Sequence, residues 1–433
     1  MLLSEEITLP CGLRLPNRLC KAAMAESMSP SHIPDKRHAR AYEDWADGGW
    51  GLILTGNVQI GDTYLGTPED VAILKRPSAA AKEIKDCWNV WASTCQRNGT
   101  PAIVQINHPG RQSPFWCGRR SFFAKTIAPS PVELNLGSSV VERYAVSFVF
   151  GTPRELTIEE ISGEGGIIDQ YVEAAKVSFD AGFKGVQLHG AHGYLLTQFL
   201  SPRTNLRTDE FGGSSAKRAE IVLRIIHGIR KVTNREFCIG IKMNSVDAST
   251  SDSVSDVLEQ IKLIVEAGID FIEISGGTYE NALMTRVTDA LPDPDSAATK
   301  KTAARESFFL EFAKTVRDTF PNLILMVTGG FRSRVGMEEA ITSGACDLIG
   351  IGRPSAVLPK LPKEIILNTE EVSDEEAHVA LTPVQIPFLV WMIPIKQVGA
   401  GFQTEYYGQQ IRRMGNGLRP RDTRLRASEM GRL

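Results

Sequence analysis

The sequence predicts an α/β fold, a (β/α)8 or TIM barrel, and three observations lead there. Eight apolar runs of strand length recur, amphipathic stretches of helical period lie between them, and no G-x-G-x-x-G follows the first run. The runs are Leu19–Met24, Gly51–Val58, Pro101–Asn107, Gly185–Leu188, Cys238–Met243, Phe271–Ser275, Leu323–Val327 and Leu348–Gly352. Short, nearly continuous apolar segments suit parallel strands covered on both faces. The missing glycine fingerprint counts against a doubly wound dinucleotide-binding sheet, the rival for alternating strands and helices.

Helices are expected near 78–98, 215–233, 253–267, 307–320 and 335–343, and from Thr157 to Gly182. The last begins at a capping box, in which Thr157 and Glu160 satisfy amides that have no partner in the first turn. Glycines at 182, 268 and 344 suit C-terminal caps. Residues 1–18 read as a β-hairpin turning at Cys11-Gly12 and plugging the barrel floor. Residues 108–155 form a long insertion after the third strand, and a loop of that length usually has a function. The barrel domain is expected to span 1–365. Residues 366–433 form a C-terminal extension, helix-like from Glu370 to Glu376, that packs on the barrel or on a partner subunit, which leaves a homodimer open. No internal repeat is legible beyond the β/α period.

A formal net charge of -3 with no basic stripe excludes a nucleic-acid partner, and no segment is apolar enough for a membrane. The seven scattered cysteines contain no C-x-x-C pair, which argues against zinc ribbons and iron–sulfur clusters. With no secretory pattern at Met-Leu-Leu-Ser-Glu-Glu, reduced thiols in the cytoplasm are expected.

Active sites of such barrels lie at the C-terminal strand ends. The most informative string there is Leu188-His189-Gly190-Ala191-His192-Gly193-Tyr194. If the loop turns at its glycines, two imidazoles converge on one oxygen and stabilise negative charge developing on it. Tyr194 beside them can deliver a proton, because a phenol is protonated at neutral pH. Two other readings stand: a zinc site, which lacks a nearby carboxylate or cysteine ligand, and a purely structural role.

Several strings, in order around the eight runs, resemble the old yellow enzyme / NADH:flavin oxidoreductase family. They are His189 to Tyr194, then Leu196-Thr197-Gln198-Phe199-Leu200-Ser201-Pro202-Arg203-Thr204-Asn205, then Arg207 to Ser214. The segments Asn17 to Met24, Gly51 to Thr55, Val104 to Arg111, Gly329-Gly330-Phe331-Arg332 and Gly350-Ile351-Gly352-Arg353-Pro354 are similar to its first, second, third, seventh and eighth strand regions.

The resemblance implies an FMN-dependent oxidoreductase with NADPH or NADH as reductant and an enone or enal as substrate. Hydride would pass from FMN N5 to the β-carbon and a proton from Tyr194 to the α-carbon, with His189 and His192 holding the carbonyl. It assigns to the cofactor Ala22, Ala23, Met24 and Ala25, then Asn57, Gln105 and Lys242, and for the phosphate Gly329, Gly330, Phe331, Gly352 and Arg353. Lys242 is a cation inside a strand and needs a partner: an anionic flavin, or Glu273. Gly56 and Asn57 replace a more usual small pair after the second strand, and Ala25 replaces a threonine or cysteine that tunes the flavin. His108 and Arg111 are candidates for an interface or lid. Phe115, Trp116, Phe122 and Phe123 line a substrate channel or pack locally. The alternatives are an NAD(P)H oxidase or xenobiotic reductase, and a non-catalytic flavin barrel serving as a binding module.

Overall fold

The computed structural model describes residues 1–74, 78–121, 123–136, 140–245, 253–276, 310–379, 381 and 396–421. Eight parallel strands close a ring in sequence order: β1 (Leu19–Lys21), β2 (Leu52–Gln59), β3 (Ala102–Asn107), β4 (Gly185–Gly190), β5 (Cys238–Asn244), β6 (Phe271–Ser275), β7 (Leu325–Thr328) and β8 (Leu348–Ile351). β8 pairs back onto β1, so the ring has no edge. A ninth short strand, Val71–Ala72, pairs with the far end of β2 outside it. The strands match the apolar runs to within three residues at each end.

The barrel interior is stratified. Its floor packs Leu52, Leu54, Ile103, Phe271, Met326 and Leu348 against Leu9, Cys11 and Leu15 of the N-terminal hairpin. That hairpin pairs Ile7–Thr8 with Arg14–Leu15 and plugs the barrel as expected. A larger apolar layer lies between the strands and the outer helices, where each fully buried aliphatic side chain contributes about 1.5–3 kcal/mol. Above the floor the inward positions become polar, and there the cavity opens.

Several expectations need correction. The helix from Thr157 is two helices, Ile158–Ser162 and Ile167–Asp180. The capping box forms, but Gly163, Gly165 (φ 71°) and Gly166 break the run. Glu370 to Glu376 forms turns, not a helix. There Asn368 and Ser373 accept from the amides of Glu371 and Glu376, local bonds that compete with helix formation. Several helices escaped the sequence reading, Lys36–Ala46 and Lys396–Gly415 among them. Lys36–Ala46 starts at a capping box whose return bond comes from His38 rather than Glu or Gln. Lys396–Gly415 contains four glycines, each unfavourable in a helix by about 1 kcal/mol. It packs on the Lys36–Ala46 helix and on the short helix Arg353–Val357. Among the described residues no helix is long and apolar enough to cross a membrane.

The insertion carries its own pair of short strands, Ile127–Ala128 and Arg154–Glu155, and the helix Val140–Phe150. His108 and Arg111, candidates for a lid or interface, are both buried and tie parts of the insertion to one another. His108 accepts the Gly110 amide at Nδ1 (2.9 Å), and Arg111 donates to the carbonyls of Val132 and Glu133. Phe115 packs edge-on against Trp116 and Phe148. Phe123 is 91% exposed, and Phe122 lies outside the described residues.

Burial lowers the pKa of His108 to about 3. The unfolded chain therefore takes up that proton near pH 6.5 and the folded chain does not. This contribution to stability is complete above about pH 6.5 and declines as pH falls toward 3, by about 1.4 kcal/mol per pH unit. In His108→Asn the side-chain oxygen can accept the same amide without titrating. Urea unfolding at a series of pH values should show a dependence shallower by one proton below pH 6; an unchanged slope contradicts the assignment.

Candidate active site

A cavity of about 240 Å³ opens at the C-terminal ends of the strands. Every residue assigned above to catalysis or to the cofactor lies on its wall. The register explains much of this. His189 is paired with Lys242, and Lys242 with Glu273, across β4, β5 and β6. Asn57 is paired with Gln105, and Gln105 with Gln187, across β2, β3 and β4.

Two buried networks result. In the lower one the Gln105 carboxamide donates to Gln187 Oε1 (2.6 Å), Gln187 donates to Glu273 Oε2 (2.7 Å), and Lys242 Nζ lies 2.8 Å from Glu273 Oε1. Lys242 therefore has its carboxylate partner and still reaches the cavity. A buried network is stabilising only when its members satisfy one another, and this one ends in the Lys242–Glu273 ion pair.

The upper network surrounds the histidines. His189 Nδ1 meets Asn57 Oδ1 at 2.8 Å, His189 Nε2 meets His192 Nδ1 at 3.0 Å, and His192 Nε2 meets Ser275 Oγ at 3.2 Å. The Tyr194 ring lies edge-on to His189, centroids 4.7 Å apart. His192 adopts a left-handed φ of 60°, an uncommon conformation for a side-chain-bearing residue. Asn244 Oδ1 accepts its amide and Gln112 Nε2 donates to its carbonyl, which holds the turn. Burial drives both histidine pKa values well below the usual imidazole range; His192 and then the Lys242 charge add to it at His189, and the Lys242 charge at His192. Both rings are neutral at pH 7, and neutral imidazoles donate one N–H each.

Gly56 and Asn57 sit inside β2 rather than after it. The β2–β3 register shifts between Leu54 and Asn57. Glu26 Oε1 accepts the Gly56 amide (2.8 Å) and the Tyr42 hydroxyl. A Cβ at position 56 would come within 1.9 Å of Glu26 Oε2, so glycine is required for this close approach. The irregularity turns Asn57 toward His189.

The opposite wall belongs to β7 and β8. Gly329 (φ 145°) and Gly330 (φ 79°) turn the chain after β7, and Phe331, Arg332, Gly352 and Arg353 complete that end. Consecutive backbone amides in such turns, with guanidinium groups beside them, suit a phosphate. Gln105 offers both a donor and an acceptor, and Ala22 to Ala25 with Met24 offer a flat apolar side. This donor set fits FMN: an anionic end, a hydrogen-bonding edge and a planar body.

The sequence reading missed several members of the site. Gln187 shares the side of β4 that His189 uses, and its period-2 position was the available signal. Ser275 ends β6. Thr404 and Tyr407 come from the Lys396–Gly415 helix and line the cavity, a long-range contribution with no local signal. None of the described insertion aromatics Phe115, Trp116 and Phe123 lines the cavity.

The profile of the NADH:flavin oxidoreductase / NADH oxidase family matches residues 7–371. The chain belongs to this family. It is similar to an NADH-dependent flavin oxidoreductase of Hypocrea jecorina, 43% identical over 388 residues, covering 89% of this chain and 94% of that protein. A protein of the same description from Neonectria sp. is 41% identical over 422 residues; the match covers 94% of this chain and 54% of that longer protein. Among solved structures, the old yellow enzyme homologue from Zymomonas mobilis superposes with a TM-score of 0.66 at 21% identity, covering 88% of this chain and 98% of that one. This chain is an FMN-dependent oxidoreductase of the NADH:flavin oxidoreductase / NADH oxidase family.

Replacing Lys242 by Met should leave Glu273 buried without its cation and destabilise the protein by about 3–5 kcal/mol. Adding Glu273→Gln, which keeps the bond to Gln187, should recover most of that loss. Chemical denaturation of both variants checks this, and a double variant no better than the single one contradicts the pairing.

Proposed function

We propose that this chain reduces the C=C bond of α,β-unsaturated carbonyl compounds, with NADH as the reductant. The observation that carries the reading is the cluster of two neutral imidazoles and a phenol on one side of a cavity whose other walls suit FMN. FMN, when bound, supplies the electron pair, received from NADH and delivered as hydride. The chain's own residues supply binding, polarisation and protonation.

His189 and His192 bind the carbonyl oxygen through ring N–H groups. Their hydrogen bonds strengthen as charge builds on that oxygen, which lowers the barrier to attack at the β-carbon. Because burial keeps both rings neutral, they stabilise the oxygen without protonating it. Tyr194, at the start of the short helix Leu195–Leu200, holds the proton for the α-carbon. Lys242 presents a positive charge to the cofactor while Glu273 anchors it. Gly330, Phe331, Gly352 and Arg353 hold the phosphate, Gln105 the ring edge, and Ala22 to Ala25 with Asn57 the ring surroundings. The helix Lys396–Gly415, within the extension expected over 366–433, lines the cavity with Thr404 and Tyr407. The seven free cysteines support a reducing, cytoplasmic setting.

Tyr194→Phe should leave reduction of the bound flavin by NADH within about twofold of wild type. It should slow enone turnover by about a hundredfold or more. Rapid-mixing measurement of the two half-reactions checks this, and equal losses in both contradict the proton assignment. His189→Ala should weaken binding of p-hydroxybenzaldehyde by about tenfold or more. Retention of wild-type affinity and of the charge-transfer band would remove His189 from the carbonyl site.

A further inference from the structure

The hydrogen bonds of the histidine pair conflict with the work asked of it. Between His189 Nε2 and His192 Nδ1 there is room for one proton only. Asn57 presents Oδ1 to His189 Nδ1, so the proton of the neutral His189 ring sits on Nδ1. Its Nε2 is then an acceptor, and His192 Nδ1–H donates to it. His192 Nε2 has the lone pair and accepts from the Ser275 hydroxyl. In this state the pair has one N–H facing inward, and the partner ring consumes it.

An oxygen entering between the rings needs an N–H from each. His192 already carries its proton on Nδ1, secured from behind by Ser275. His189 must lose the proton on Nδ1 and gain one on Nε2, with no net change in charge. Its bare Nδ1 is then buried and needs a donor, since an orphaned polar atom costs about 1–3 kcal/mol. Asn57 has that donor on the same side chain. Half a turn about its terminal carbon–carbon bond exchanges Oδ1 for the Nδ2 amide and moves nothing else.

We propose that Asn57 is a positioning residue whose carboxamide reverses on ligand binding, so that two uncharged imidazoles both donate to one ligand oxygen. The inference rests on the reading that this pair holds the ligand's oxygen. It also sets a ligand class: oxygens that bring no proton of their own, namely carbonyl, enolate and phenolate. The backbone is built to keep Asn57 still while its amide turns, because Glu26 and Tyr42 pin Gly56 one residue earlier. Aspartate could not act in this way, because a carboxylate only accepts.

The test uses the FMN-loaded protein and p-hydroxybenzaldehyde as its phenolate ligand. In wild-type protein with labelled histidines, long-range nitrogen NMR should show His189 protonated on Nδ1 when free and on Nε2 when the ligand is bound. In Asn57→Asp, His189 can donate from Nε2 only as an imidazolium, so binding must take up a proton. Affinity near pH 8 should fall about tenfold, and the dependence on pH between about 6 and 8 should exceed that of wild type by one proton. The ligand's own titration cancels in this comparison. Among the described residues the other ionisable groups facing His189 are His192 and Tyr194 from its own loop and Lys242 from β5, the last salt-bridged to Glu273 of β6; all are retained in the variant. An unchanged His189 tautomer on binding, or an Asn57→Asp protein with wild-type affinity and pH dependence, overturns the proposal. If His189→Ala weakens the ligand while Asn57→Asp does not, only this proposal fails. If His189→Ala has no effect either, the reading beneath it fails as well.

Discussion

The contact between His189 and His192 is the constraint around which the mouth of this barrel is arranged. Two imidazoles in hydrogen-bond contact and away from water cannot both be charged, so each must find neutral partners. The ring partners come from two other strands: Asn57 on β2 and Ser275 on β6. The left-handed turn at His192 is held by Asn244 and Gln112, and Tyr194 follows directly from that turn. Ring position, protonation state and phenol placement are thus parts of one local solution.

The barrel makes that solution affordable by separating its interior into layers. An apolar floor sealed by the hairpin carries much of the interior packing. The polar layer above it is joined sideways, from Gln105 through Gln187 and Glu273 to Lys242. Two groups that face the cavity are therefore fixed from beneath by two that do not. The β2 irregularity follows the same logic. A glycine lets the Glu26 carboxylate approach the backbone, and the next residue is turned toward the histidines.

Most of the barrel was legible because its strands are buried on both faces and read as apolar runs. The mouth residues were legible because they lie in the C-terminal parts of those runs or directly after them, as Gly352 ends one and His189 follows Leu188. What stayed hidden depends on contacts distant in sequence. Nothing near Thr404 or Tyr407 announces that a glycine-containing helix at the end of the chain reaches the cavity. The Lys36–Ala46 helix was hidden by a capping box closed by histidine. The two-helix break after Thr157 shows the converse: a correct start signal says little about where three nearby glycines will end the helix.

In the proposed reading one ligand oxygen sits between the two imidazoles, on the side of the cavity that Tyr194 shares. A crystal structure of the flavin-loaded protein with a bound phenol tests it most directly. The phenol oxygen is expected within hydrogen-bond reach of both His189 Nε2 and His192 Nδ1, with the rings parted to admit it. A phenol bound elsewhere in the cavity, with the two rings still in direct contact, would contradict it.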